Sequence, residues 1–262
     1  MSTYLSIIFL FLLPSLTTAQ TTLTVAAAAD LSALEPQLAQ QFEKTNPRVD
    51  EPAHLSEEKT QVRVRFVTGA SAILSQQIEN GAPYDVFLSA NAQFVDRLSS
   101  FGKLRPNSVV AYAVGRVGIL WKDGKQHRIS DLTENWVRFV ALPNPKLAPY
   151  GVAAQEALEH AGIWKQIQPK VVYGENVRQA LQLFESGNAD AVLTAAALLQ
   201  GKNVAVVSAD WHRPIVQKAG IVAGTKNLEA ARRFLDYLAR KDAQSIFAKF
   251  GFSPTPNPRP TP

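Results

Sequence analysis

Cysteine is absent from all 262 residues. That excludes disulfides, thiolate catalysis, thiolate metal ligation and lipid attachment at a cleavage-site cysteine. Apolar runs long enough to cross a bilayer are also missing. The one strongly apolar stretch, Tyr4 to Leu13, is too short. Pro14 and the small residues Thr17, Thr18 and Ala19 follow it, so residues 1–19 read as a secretory signal cut after Ala19. Its n-region lacks Lys and Arg, and an N-terminal anchor is the other reading. Blocks of like charge are lacking as well. The 27 basic and 22 acidic residues leave a net +5, scattered along the chain, which suits a solvated surface and not nucleic-acid binding. Catalytic signatures are absent: there is no G-x-S-x-G elbow, no P-loop and no G-x-G-x-x-G. His54, His127, His160 and His212 stand apart, without H-x-H or H-E-x-x-H spacing.

What is present is an alternation of strand-like and helix-like pieces, which predicts an α/β fold with mostly parallel sheets. TLTVAAAA reads as a strand, and Leu31 to Lys44 as a helix with Leu31, Leu34, Leu38 and Phe42 on one face. Residues 46–61, polar with two prolines, read as a surface insertion. An internal echo then appears. SAILSQQIENGAPYDVFLSA from Ser71 and VRQALQLFESGNADAVLTAA from Val177 each give a helix closed by glycine, an Asp and an apolar strand. Asp85 and Asp190 in these units read as turn residues. The echo predicts two like-folded lobes around a cleft, the first from 20–108 plus 213–252 and the second from 109–212. The β-rich run 107–122 carries the chain across, and 211–224 carries it back. A single last helix, Leu228 to Phe250, is expected to dock on the first lobe. Residues 253–262 form a proline-rich tail.

Several small or polar residues stand where helices begin. Ser32 with Glu35 fits a capping box; Ser71 opens a second helix, Pro149, Tyr150 and Gly151 stand just before a third, and Asn176 caps a fourth that starts at Val177. Free N–H groups at helix N-termini, gathered at the carboxyl ends of parallel strands, make an anion site without Lys or Arg.

The stretches VAAAADL (25–31), GASAILSQQIENGAPYDVFLSAN (69–91), NPKLAPYGVAAQEALEHAGIW (144–164) and GENVRQALQLFESGNAD (174–190) follow one another in order. With PIVQKAGIV (214–222) and FAKFGF (247–252) they resemble the periplasmic molybdate-binding proteins of ABC importers. The resemblance covers nearly all of the chain after the signal. It implies a type II periplasmic binding fold, two lobes joined by crossover strands and closing on a tetrahedral oxyanion, and a binding protein, not an enzyme. The implied ligand is molybdate or tungstate, with no cofactor and no cation-binding site. The implied partner is a membrane ABC permease, with a monomer in the periplasm. Phosphate or sulfate is the alternative ligand; an enzyme on the same fold is a further alternative.

The same resemblance implies contacts at Ala29 and Asp30, at Ser71, at the Tyr150 N–H, and at the Val177 N–H with Asn176 beside it. A tyrosine usual in the family falls near Ala195, so that hydroxyl is missing here, and the serine-rich second motif keeps one hydroxyl, Ser71. The alanines of AAAAD permit close backbone approach and also suit a buried strand. Asp30 is the odd residue, because a carboxylate aimed at a dianion is repulsive. Its expected role is an N-cap turned back on the backbone; accepting from a protonated oxyanion such as phosphate is the other role.

Overall fold

The computed structural model describes residues 20–45 and 61–255. The signal segment and nearly all of the 46–61 insertion lie outside the described residues. In the first part of the chain come β1 (Gln20–Ala28), α1 (Glu35–Thr45), β2 (Gln61–Gly69), α2 (Ser71–Glu79), β3 (Val86–Ser89), α3 (Ala92–Ser100) and β4 (Val110–Gly115). The middle holds β5 (Val117–Trp121), β6 (Val140–Pro143), α4 (Pro149–His160), α5 (Trp164–Ile167), β7 (Val171–Gly174), α6 (Val177–Glu185), β8 (Ala191–Ala195) and β9 (Ala205–Val206). β10 (Ile215–Ile221), α7 (Leu228–Leu238) and α8 (Lys241–Lys249) close it.

Two five-stranded sheets result, ordered β2-β1-β3-β10-β4 and β7-β6-β8-β5-β9. In each, one strand runs against the rest: β10 pairs antiparallel with β3 and β4, and β5 with β8 and β9. The two sheets are thus the same arrangement built twice, with β1 matching β6 and β2 matching β7. The repeat extends to side chains. Asp85 accepts the Thr24 N–H at 2.7 Å, and Asp190 accepts the Arg138 and Phe139 N–H groups at 2.8 and 3.2 Å. Asp85 thus holds the middle of β1 and Asp190 the entry to β6, and neither serves the other as an acid or base. Gly81 and Gly187, with φ of +86° and +81°, end the two matching helices in the left-handed conformation glycine tolerates.

Three expectations about helices change. The first helix does not start at Leu31. A 3-10 turn covers Ala29–Leu31 and the α-helix begins at Glu35, because Pro36 is tolerated only in a first turn, where its missing N–H is not needed. The Ser32–Glu35 capping box does not form: Ser32 Oγ is buried without a partner and Glu35 accepts from Thr68 at 2.7 Å. The closing helix is two helices, α7 and α8. Gln244 of α8 donates to the Leu238 carbonyl at 2.7 Å, satisfying an acceptor that the end of α7 leaves free. Both pack, through Phe234, Leu238 and Phe247, into the core that holds Leu23, Val25 and Ala27 of the first sheet.

The run 107–122 divides at Arg116. The sequence placed the start of the second lobe at 109, yet β4 lies in the first sheet and β5 in the second. At the other end, Ser253 pairs with Val114, so the proline-rich tail starts from a docked residue.

Candidate oxyanion site

The four helix-opening motifs occupy matching places. Ala29-Asp30 follows β1 and Pro149-Tyr150 follows the matching strand β6. Ser71 follows β2 and Val177 follows the matching strand β7. All four therefore stand at the carboxyl ends of parallel strands, two from each lobe.

They also meet. Ala29, Ala90, Tyr150, Val177 and Ala195 belong to one packed apolar cluster that draws on both lobes. The AAAA run serves two purposes. Ala26 and Ala27 face opposite sides of the first sheet, each into its own core, while Ala28 and Ala29 pack against the second lobe. Ser71 is buried as the first residue of α2, and its Oγ accepts the Ala90 N–H at 3.2 Å. Its hydroxyl proton remains available to an acceptor. The next N–H, at Ala72, donates across the lobes to the Leu147 carbonyl at 3.4 Å. Among the described residues, no protein acceptor takes the N–H of Ser71, Tyr150 or Val177.

Asn176 caps α6 as the sequence suggested, its Oδ1 accepting from the N–H groups of Arg178 and Gln179 at 2.9 and 3.1 Å. This cap leaves the Val177 N–H free, and Thr194 Oγ1 holds the Val177 carbonyl at 2.8 Å. Asn176→Ala is expected to cost about 1 kcal/mol of stability in urea unfolding, the usual worth of a side-chain cap.

Asp30 is not an N-cap. It lies within the 3-10 turn, 1% exposed, with Oδ2 accepting from the Tyr150 hydroxyl at 2.9 Å and from Gln217 Nε2 at 2.6 Å. Tyr112 donates in turn to Gln217 Oε1 at 3.1 Å. Burial pushes the Asp30 carboxyl up to about 7, against the lowering effect of Tyr150, Gln217 and its own backbone N–H. Burial also raises the Tyr112 and Tyr150 hydroxyls, with the Asp30 carboxyl adding to it. The Tyr150 ring thus reaches from the second lobe into a socket of the first. Gly115 is part of that socket, since a Cβ there would overlap the Tyr150 hydroxyl.

The structure brings Ala29, Asp30, Ser71, Tyr150, Asn176 and Val177 to one place. Sequence reasoning missed Gln217, Tyr112 and Gly115. Gln217 did leave a signal: it is the polar residue in the inward pattern of PIVQKAGIV, and it is fully buried. A groove of about 510 Å³ elsewhere, lined by Thr22, Thr24, Tyr84, Asp85, Lys103 and Asn227, opens at the other ends of the strands. Its carboxylate is already taken by Thr24, Thr225 and Asn227. Among the described residues no three His, Cys, Asp or Glu side chains gather as a metal site.

Residues 23–253 match the model of the bacterial extracellular solute-binding proteins. The molybdate-binding protein ModA of Rhodobacter capsulatus is 33% identical over 201 residues, covering 74% of this chain and 79% of its own length. The chain belongs to the molybdate-binding family of extracellular solute-binding proteins. ModA of Azotobacter vinelandii is 31% identical over 87% of this chain and 88% of that protein. The solved periplasmic molybdate-binding protein of A. vinelandii superposes with a TM-score of 0.78, at 29% identity, over 89% of this chain and 99% of that one. A sulfate-binding protein of Mycobacterium tuberculosis, at 19% identity and a TM-score of 0.65, shares the fold. Members of the family bind and hand over solutes outside the cytoplasm; they are not enzymes.

Proposed function

We propose that this solute-binding protein captures molybdate, and tungstate with it, between its two lobes and delivers it to an ABC permease. The observation that carries this reading is that the Ser71, Tyr150 and Val177 N–H groups, from both lobes, stand at helix N-termini and have no protein acceptor among the described residues. Such donors, with the Ser71 hydroxyl, suit a tetrahedral dianion and need no cation. In a site closed to water each charge-assisted hydrogen bond strengthens. Molybdate and tungstate have nearly the same size and charge, so the site is not expected to separate them. Sulfate is smaller and leaves donors under-satisfied. The protein acts as a monomer exported by a cleaved signal.

Thermal melting with each oxyanion tests the reading. A ligand that binds only the folded state stabilises it by about 2.7 kcal/mol at a hundredfold excess over Kd. Molybdate and tungstate are expected to raise Tm, sulfate and phosphate much less. Stabilisation by phosphate without molybdate would instead assign the partnerless Asp30 Oδ1 to a protonated anion. No shift with any oxyanion would remove the proposal. Ser71→Ala is expected to weaken molybdate binding by about 1.5–3 kcal/mol in calorimetric titration, the worth of a hydrogen bond to a charged group. Unchanged affinity would take Ser71 out of the site.

A further inference from the structure

Capture by peptide N–H groups does not require a buried carboxyl, yet Asp30 is built into the meeting point of the lobes. Its Oδ2 accepts from two neutral donors, one in α4 and one in β10. Its Oδ1 is buried and, among the described residues, has no hydrogen-bond partner. None of the ion pairs among the described residues involves it. The groups that face it are its own backbone N–H, Tyr150 from α4, Tyr112 from β4 through Gln217, and Glu35 from α1, a like charge. Arg178 of α6 acts on Glu35, and the 3-10 turn Ala196–Leu199 brings only apolar side chains. Lys218, beside Gln217 on β10, is engaged by Asp96 at 2.7 Å.

We propose that Asp30 holds a proton in the anion-bound protein, so that above neutral pH capture of the anion takes a proton up from solvent. This rests on the reading of the site as an oxyanion cage. Two repulsions press on an ionised Asp30: removal from water with one oxygen unsatisfied, and a dianion held by the N–H of Tyr150, the residue bonded to it. A proton relieves both. It belongs on Oδ1, because Oδ2 already accepts twice. The resulting O–H has no protein acceptor, and an anion oxygen is an acceptor. Without the anion, burial outweighs the donors and leaves the carboxyl near neutrality, with a pKa of about 7, so the proton is exchangeable in the physiological range.

The test is calorimetric titration of the whole chain with sodium molybdate at pH 6 and pH 8.5, each in two buffers of different ionisation heat. At pH 8.5 close to one proton per anion is expected to be taken up, and almost none at pH 6. Affinity is expected to fall by up to about tenfold per pH unit above 7, the limit for one linked proton. Asp30→Asn should show no uptake and a flat pH profile. Tyr150→Phe keeps the carboxyl and should keep the uptake, which separates Asp30 from the tyrosine and serves if Asp30→Asn does not fold. Molybdate binding without uptake at pH 8.5, or uptake undiminished in Asp30→Asn, would overturn the proposal. Absence of molybdate binding in every buffer would overturn the oxyanion reading along with it, a result distinct from binding without a proton.

Discussion

Asp30→Asn is expected to gain stability over the parent protein, ligand-free, as pH rises from 5 to 8.5. The folded carboxyl titrates at about 7 against an ordinary value of 3.8. Below the ordinary value both the folded and unfolded chains hold the proton, and nothing is lost. Between the two values the unfolded chain has released a proton that the folded chain still binds. Stability therefore falls as pH rises, and the full loss is present above about 7. The full loss is about 4 kcal/mol, at 1.36 kcal/mol per unit. Asparagine keeps an acceptor for Tyr150 and Gln217 and cannot titrate. It places an amide where Oδ1 has no partner, a cost of about 1–3 kcal/mol that is the same at every pH. Between pH 5 and pH 8.5 the difference between variant and parent should move by about 2–3 kcal/mol in the variant's favour. Urea unfolding at the two pH values measures it directly. A difference that does not change with pH would mean that Asp30 titrates as an exposed carboxylate does.

Gly151→Ala is expected to damage both stability and capture. A Cβ on Gly151 would overlap the Pro143 carbonyl oxygen and crowd Pro145 N at 2.7 Å and Asn144 C at 2.9 Å. These are backbone atoms of the loop joining β6 to α4, and they have no rotamer through which to yield. The start of α4 must lift, taking the Tyr150 N–H out of the proposed anion site and the Tyr150 hydroxyl away from Asp30. Overpacking of this kind costs about 3 kcal/mol, which lowers Tm by roughly 6–12 °C in a chain of this size. The rise in Tm with molybdate should shrink as well. Gly224→Ala is the control, because a Cβ there meets nothing within 4 Å; its melting curve should follow the parent's. Equal Tm values for the two variants would refute the close approach at Gly151.

Much of this architecture is legible in the chain because it is written twice. The echo from Ser71 and from Val177 carries the same helix, glycine, Asp and strand, and the two sheets repeat it down to the Asp that holds the neighbouring strand. Helix starts were legible where a cap or a motif marked them, as at Asn176 and Tyr150. The first helix was misjudged because leucine spacing continues across Ala29 to Leu34, while Pro36 sets the start. The closing helix was read as one because both halves present apolar residues at helical spacing; the extended backbone at Arg240 separates them. Asp30 was the hardest. A residue's neighbours in sequence suggest a cap, whereas its partners, Tyr150 and Gln217, stand 120 and 187 residues away. No local pattern reports a side chain that reaches into the opposite half of the molecule.

The reversed strands have a mechanical consequence. β4 and β10 are neighbours in one sheet, and β5 and β9 are neighbours in the other. The two stretches of chain that pass between the sheets therefore run side by side, laced together where Arg116 reaches the Val207 carbonyl at 3.3 Å and Val207 donates to Val117 at 2.9 Å. A pair of adjacent straps running in opposite directions favours rotation of one lobe against the other over sliding or twisting. An opening about these straps would have to break the Tyr150–Asp30 hydrogen bond, 2.9 Å long, that joins the two lobes.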